Sequence, residues 1–377
     1  SVFMADLISG IVGKGSLLAI EGDAHKKERR LLNPPFHGQR MRAYGRLMRE
    51  LTHEVMRSHP IGEKFEARRA MQSISLRVIL RAVFGVSEPE RVRSFEDASL
   101  RFMARANHPM CFFPFLRRDF GGFGPWAEFR KAWTHFSALI AEQRQIAAQN
   151  PAREDILSML VAARYDDGSR MSDEQIRDEL ITLLIAGHET TATSLAWTIY
   201  ALHAQPALLG RLRDELERKG LGPDAEPEQV TANPFLEAVC NETLRRYPIV
   251  AEVFRRIKVP LTLGRYSLPA GTTVATSILL LHRRQDLYPQ PEVFRPERFL
   301  ERRFSPWEFA PFGGGSRRCV GAAFALYEMK LVLHALLTGY DLSLETTQPI
   351  QPVMYGLTMG PKDGIPIRIL ADRQKPR

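Results

Sequence analysis

The chain has 377 residues, 44% of them hydrophobic and 25% charged, the profile of a soluble globular protein with a substantial core in one large domain or two ordinary ones. No apolar run approaches bilayer length, no signal peptide opens the chain, and three widely spaced cysteines (Cys111, Cys240, Cys319) argue against a disulfide scaffold and for a reducing compartment. The net charge of +9 is spread over short pairs such as Lys26-Lys27, Arg255-Arg256, Arg302-Arg303 and Arg317-Arg318; with no zinc-finger or RNA-binding signature beside them, nucleic acid is not an expected partner.

In chain order, apolar residues recur at three- and four-residue spacing over 43–58 and 68–84, which predicts two helices. A break rich in Phe, Pro and Gly follows over 109–125, and helical patterning resumes over 126–149. Ser172 with Asp173 and Gln175 predicts the start of a long helix that runs to about Gln205, ahead of Pro206. Its middle (Leu180, Ile181, Leu183, Leu184, Ile185, Ala186) is apolar nearly all round, which places it in the protein centre. Strand-like text begins only after Pro248, over 257–263, 266–268 and 273–275, each bounded by Gly or Pro. Residues 294–310 are irregular and proline-punctuated. A helix over 322–337 and a strand-rich tail (340–344, 365–369) close the chain. The expected architecture is one mainly α domain over 1–377 with small β-sheets.

Cys319 stands in the run Phe312-Gly-Gly-Gly-Ser-Arg-Arg-Cys319-Val-Gly321, directly before the last helix. Unpaired N–H groups at a helix start favour the thiolate. With no CxxC or CxxH nearby, nucleophile and metal ligand are both open. Ala186-Gly187-His188-Glu189-Thr190-Thr191 sets a carboxyl and a hydroxyl in an apolar helix; they have a function, or Thr190 bonds back to a carbonyl in a kinked core helix. Glu242-Thr-Leu-Arg245 puts carboxylate and guanidinium on one helix face. Arg298, in Phe294-Arg-Pro-Glu-Arg-Phe299, can fork onto the same Glu242.

In this order the four segments resemble those of the cytochrome P-450 family, the haem-thiolate monooxygenases, and the resemblance covers nearly the whole chain. It implies the cytochrome P-450 fold, haem b (iron protoporphyrin IX), O2 as co-substrate and electrons ultimately from NAD(P)H. A ferredoxin or flavodoxin with its reductase would deliver those electrons, since no reductase follows in this chain. The family is known for thiolate ligation of iron, so Cys319 would be the axial ligand. Phe312, Gly313 and Gly321, with Gly314 and Gly315, would frame the sulfur and the porphyrin face. Thr190 would hydrogen-bond the oxygen being activated, and Glu189 would help pass protons from solvent. Ala186 and Gly187 would leave room above the iron. Glu242, Arg245 and Arg298 would form the network that holds the cysteine loop. His25, Arg29, Arg255 and Arg317 are the propionate candidates, with Arg256 in place of Arg255 if the register slips by one.

The same resemblance places the substrate pocket at Leu183, Ala186, Gly187 and Thr190, at Val250, Ala251, Glu252 and Val253, and at Leu357 and Thr358. This mostly apolar lining fits a fatty-acid-like, terpenoid or polyketide-like substrate to be hydroxylated or epoxidised. Glu252 either orients a polar group on that substrate or pairs with Arg255 or Arg256. Phe112, Phe113, Phe115, Phe120 and Phe123 lie where the family carries a mobile lid, and either form an apolar entrance or pack on the protein. Lys26, Lys27, Arg30, Arg302, Arg303 and Arg318 are expected on the face where an acidic electron donor docks. The family carries an N-terminal helix, first strands and part of a substrate loop ahead of the segment that begins here near residue 23, so an N-terminally truncated chain of soluble bacterial type, cytoplasmic and without membrane insertion, is expected. The alternatives are a peroxide-using or rearranging haem-thiolate enzyme, or a truncated haem-binding protein without turnover.

Overall fold

Proline and small polar residues set where most helices begin. The computed structural model describes residues 5–36, 40–106, 108, 117–118 and 121–374. The first half is helical: α1 (Ala5–Val12), α2 (Gly22–Leu32), α3 (Arg40–Arg57), then a short strand β1 (Lys64–Glu66), α4 (Ala67–Ala82), α5 (Pro89–Ala106), α6 (Pro125–Gln149) and α7 (Ile156–Ala162). The long helix α8 (Asp173–His203) is followed by α9 (Pro206–Arg218), α10 (Pro227–Thr231) and α11 (Pro234–Arg246). Five of these (α5, α6, α9, α10 and α11) start with proline, where its missing N–H costs nothing. Asn233 caps α11 by accepting from Leu236 N–H at 2.9 Å. At the mouth of α8 the expected box forms, Ser172 Oγ accepting from Gln175 N–H at 3.1 Å and Gln175 Oε1 accepting from Ser172 N–H at 2.8 Å.

The remainder alternates short strands and helices: β2 (Glu252–Arg256), β3 (Leu261–Leu263), β4 (Tyr266–Leu268), β5 (Thr273–Ser277), α12 (Ile278–Leu281), α13 (Arg298–Glu301), α14 (Ala322–Gly339), β6 (Tyr340–Leu344), β7 (Pro352–Tyr355), β8 (Thr358–Pro361) and β9 (Pro366–Asp372). Strands pair as β1-β9-β6, β2-β5, β3-β4 and β7-β8. Three expectations are corrected. Strand structure begins well before Pro248, because β1 takes its partner from the C-terminal tail, Lys64 opposite Arg368. Of the strand expected over 257–263 only β3 forms, at 261–263, and β2 lies ahead of that range. Residues 352–361 form an antiparallel hairpin that the alternation did not mark. Among the described residues one helix, α14, is long and apolar enough to cross a membrane by length and composition, but 72% of it is buried inside the protein.

Two compact units divide the chain. The first comprises Ser1–Pro35, Leu76–Ala186 and Phe254–Thr276. Its core is aromatic: Phe84, Phe95, Phe102 and Phe136 are fully buried, with Phe102 and Phe136 stacked at 5.6 Å. The loop after α1 is tied to the opening turns of α8, where Asp178 accepts from Gly15 N–H at 2.9 Å and Glu179 from Leu17 N–H at 2.7 Å. Gly13, at φ 95°, makes that approach possible, since a Cβ there would lie 2.0 Å from the Asp178 carboxyl carbon. Burial pushes Glu179 up to about 8.

The second unit comprises Phe36–Ser75, Gly187–Val253 and Ser277–Arg377. Here α14 packs on α3, and the Phe324 ring meets Phe36 and Tyr44 edge-on, each at 5.9 Å. Trp197 of α8 stacks on Tyr247 at 4.2 Å.

Candidate active site

The cysteine loop is held by backbone hydrogen bonds. Cys319 N–H donates to the Phe312 carbonyl at 2.9 Å, Gly313 N–H to that of Ala310 at 2.9 Å, and Arg318 N–H to that of Gly315 at 3.1 Å. Gly313 and Gly315 sit at φ 67° and 66°, the left-handed region that a side chain resists. Cys319 is exposed and not disulfide-bonded, and Gly321 caps α14 two residues later. A Cβ added at Gly313, Gly314, Gly315 or Gly321 would meet nothing within 4 Å. The loop therefore leaves open space at its glycines, which suits the close approach of a broad flat group carrying an iron. Phe312 and Arg317 are half-buried at its rim.

Behind the loop lies the expected ionic network. Arg245 forks onto Glu242, Nε to Oε2 at 2.7 Å and Nη2 to Oε1 at 2.8 Å, and Arg298 Nε donates to Glu242 Oε1 at 3.1 Å. The three side chains are 0%, 0% and 3% exposed. Glu242 Oε1 also accepts from Arg295 N–H at 2.7 Å.

One link had no signal in the sequence. Arg245 Nη1 donates to the His282 carbonyl at 2.9 Å, and the His282 ring accepts at Nε2 from Ala310 N–H at 3.1 Å. Burial, reinforced by the Arg245 charge, pushes His282 down to about 3. The ring is neutral and can accept. Tyr288, fully buried, donates to the Glu308 carbonyl at 2.8 Å and packs under the Arg245 guanidinium at 5.2 Å. The network thus reaches the cysteine loop through His282, Ala310 and Gly313.

On α8, Leu180, Ile181 and Leu184 are fully buried. Leu183, Gly187 and Thr190 are half-buried and Ala186 is exposed. Their i, i+3, i+4, i+7 spacing makes one accessible stripe in the middle of an otherwise buried helix. Glu189 points to a different face. It is ion-paired with Arg68, accepts from Gln72 Nε2 at 2.6 Å and lies 3.4 Å from Thr193 Oγ1. Neither Arg68 nor Gln72 was legible as a partner, because the contact spans more than a hundred residues of sequence. Burial lowers the His188 pKa, and its Nε2 is 3.1 Å from the Gln72 carbonyl.

In the first unit, His25 and Arg29 stand one turn apart on α2. His25 is 5% exposed, so it is not a solvated surface residue, and Arg29 is half-buried. Between them Glu28 accepts from Tyr165 Oη and from Gln175 Nε2, each at 2.6 Å, while burial raises its pKa. Arg255 is half-buried and donates to the carbonyl of Phe254 at 2.8 Å. Several residues of the expected basic face carry acidic partners: Lys26 pairs with Asp23, Lys27 with Asp167, Arg30 with Asp166 and Arg302 with Glu308.

Among the expected pocket residues, Val250 and Val253 are half-buried. Ala251 is buried, its carbonyl accepting from Ile278 N–H at 2.8 Å. Glu252 is exposed, with no ion pair among the described residues. Leu357 and Thr358 lie at the tip of the β7-β8 hairpin, Leu357 exposed and Thr358 half-buried. Phe123 is exposed, whereas Phe112, Phe113, Phe115 and Phe120 lie outside the described residues.

The family profile for cytochrome P450 matches residues 5–367. The putative cytochrome P450 135B1 of Mycobacterium tuberculosis is 35% identical over 380 residues, covering 99% of this chain and 79% of the relative. The putative cytochrome P450 138 of Mycobacterium bovis is 35% identical over 363 residues, covering 95% and 79%. Among solved structures, the retinoic acid-bound cyanobacterial CYP120A1 superposes with a TM-score of 0.84 at 25% identity, covering 98% of this chain and 84% of that one. By sequence and by fold, the chain belongs to the cytochrome P450 family, the haem-thiolate monooxygenases.

Proposed function

We propose that this chain binds haem through Cys319 and oxidises an elongated apolar molecule, and that its two units act together as one P450 domain. The observation that carries the reading is the exposed Cys319 thiol in a loop whose four glycines face open space. Haem, when bound, supplies the iron at which O2 is activated and one oxygen atom is inserted into substrate. The chain's residues hold it and control water and protons around it. Cys319 ligates through sulfur, with the start of α14 favouring the thiolate. Phe312 shields the sulfur from water, while Gly313 and Gly321 leave room for the porphyrin. His25, Arg29, Arg255 and Arg317 bind the propionates. Glu242, Arg245 and Arg298 keep the loop in place through His282.

On α8, Ala186 and Gly187 leave space for O2, Thr190 orients a proton, and Glu189 passes protons from solvent. Leu183, Val250, Val253 and the hairpin tip at Leu357 and Thr358 line the substrate space, with Ala251 supporting the turn and Glu252 near its mouth. Such a lining suits a long terpenoid or fatty acid, and the retinoic acid bound by the structural relative supports that class. Electrons are to come from NAD(P)H through a ferredoxin or flavodoxin and its reductase, in the cytoplasm.

The reduced protein exposed to carbon monoxide provides the test. The red-shifted Soret band of thiolate ligation is expected, and its loss in Cys319→Ala. A wild-type chain that takes up no haem, or a variant that keeps the band, removes the reading. Titration with retinoic acid or a long-chain fatty acid should displace water from the iron and shift the resting spectrum. Silence toward both classes removes the substrate assignment alone.

A further inference from the structure

The feature that the reading above leaves unused is the set of side chains that grips Glu189. Arg68, near the start of α4, forms the ion pair, and its guanidinium lies over the Tyr355 ring at 4.8 Å. Tyr355 ends β7 and stands opposite Thr358 across the hairpin turn, and Thr358 Oγ1 donates to its carbonyl at 3.2 Å. The ring cannot slide freely. It also lies against the bare backbone of Gly360, where an added Cβ would lie 3.2 and 3.3 Å from Cδ2 and Cε2, and its hydroxyl donates to the Pro361 carbonyl at 3.1 Å. The hairpin is anchored in turn by Met359 N–H, which donates to the Ile249 carbonyl at 2.7 Å, directly before Val250.

The Nε of Arg68 is buried and has no hydrogen-bond partner among the described residues; its guanidinium meets the Glu189 carboxylate and the Tyr355 aromatic face. A carboxylate that passes protons has to rotate, and Glu189 can rotate only as far as Arg68 and Gln72 allow.

We propose that Arg68, seated on Tyr355, is a positioning residue for Glu189, and that the β7-β8 hairpin tip sets its position according to what occupies the substrate space. This rests on the reading that Glu189 passes protons and that Leu357 and Thr358 face substrate. A substrate pressed against the tip moves Tyr355 by its neighbouring residues, Arg68 follows the ring, and the Glu189 carboxylate is turned toward or away from Thr190. In each cycle Glu189 takes a proton from solvent, gives it up on the Thr190 side and returns to the carboxylate, so the relay is neutral overall.

The haem-loaded full chain, driven by a plant-type ferredoxin and its reductase, tests this through the peroxide released per O2 consumed, because O2 reduced without timely protons leaves as hydrogen peroxide. Thermal unfolding of each variant is recorded alongside. Arg68→Gln and Tyr355→Leu are each expected to raise the peroxide ratio severalfold. The double variant should go no further than either alone, Arg68→Lys should fall between, and Tyr355→Phe, which keeps the aromatic face, should stay near wild type. A Tyr355→Leu ratio equal to wild type, or effects that multiply in the double variant, overturns the proposal. A lowered unfolding temperature with an unmoved ratio does the same, because it marks a purely structural role. Glu189→Gln separates the two claims. If its ratio is unmoved, the proton-passing reading of Glu189 fails; if it rises while Arg68→Gln stays at wild type, only the role of Arg68 fails.

Discussion

Two carboxylates in the second unit, Glu242 and Glu189, are each gripped by arginine, and their surroundings differ in kind. Glu242 is fully buried between Arg245 and Arg298, with a backbone N–H completing its shell. The Glu189 and Arg68 side chains are 27% and 19% exposed, and a glutamine amide and an aromatic face complete the set. Desolvated charges with every lone pair answered are immobile, because moving any one strands the others in low dielectric. Charges left within reach of water can exchange partners at small cost. The first arrangement suits a frame and the second a moving part.

The comparison can be broken most severely at Glu242. Replacing it with Ala leaves two buried guanidinium groups uncompensated, and a loss of about 3–5 kcal/mol is expected in denaturant unfolding of the haem-loaded chain. A loss below about 1 kcal/mol would show that the network holds nothing.

Glu328, on α14, is the contrasting case of a buried carboxyl without a cation. Burial, opposed by Ser75, pushes it up to about 8 from an ordinary 4.5. The folded chain then keeps this proton over a range in which the unfolded chain has released it. The stability it contributes is complete below pH 4.5 and is lost as pH rises toward 8, at a slope of up to about 1.4 kcal/mol per pH unit. Stability measured from pH 5 to 8 should therefore fall less steeply in Glu328→Gln than in wild type; parallel profiles would place the proton elsewhere.

Smaller effects separate the arginines. Arg298→Lys keeps a charge but not the planar fork that reaches Glu242 together with the Val293 and Pro289 carbonyls, and about 1–2 kcal/mol is expected from the same unfolding curves. The smallest loss should come from Glu189→Gln, about 1 kcal/mol or less. Its consequence should appear in the peroxide ratio instead. A Glu189→Gln chain as unstable as Glu242→Ala would erase the distinction between frame and moving part.

Much of this was legible in the sequence because local rules govern it. The long helix starts at its Ser172–Gln175 box, and α14 starts where the glycine loop ends. Glu242 meets Arg245 because i,i+3 residues share a helix face. The β1-β9 pairing was not legible, since the three residues Lys64-Phe65-Glu66 are too short a run to mark a strand and find their partner some three hundred residues later. Nor was the β7-β8 hairpin, whose Gly360 backbone is met by the Tyr355 ring and by Thr193. The basic pairs illustrate the same limit. A run of sequence shows the cation but not the aspartate that Lys27 or Arg30 finds far away.

The sequence by itself determined the chemistry on offer: a cysteine at a helix mouth, a carboxyl and hydroxyl in an apolar helix, and a Glu-x-x-Arg face. These are properties of residue type and short-range spacing, which backbone geometry translates directly. Only the tertiary structure decided which charges are sealed and which are left partly wet, and that His282 carries the network to the cysteine loop. It alone seated Arg68 between Glu189 and Tyr355. Those outcomes depend on burial and on contacts between distant segments, and both exist only once the chain has packed.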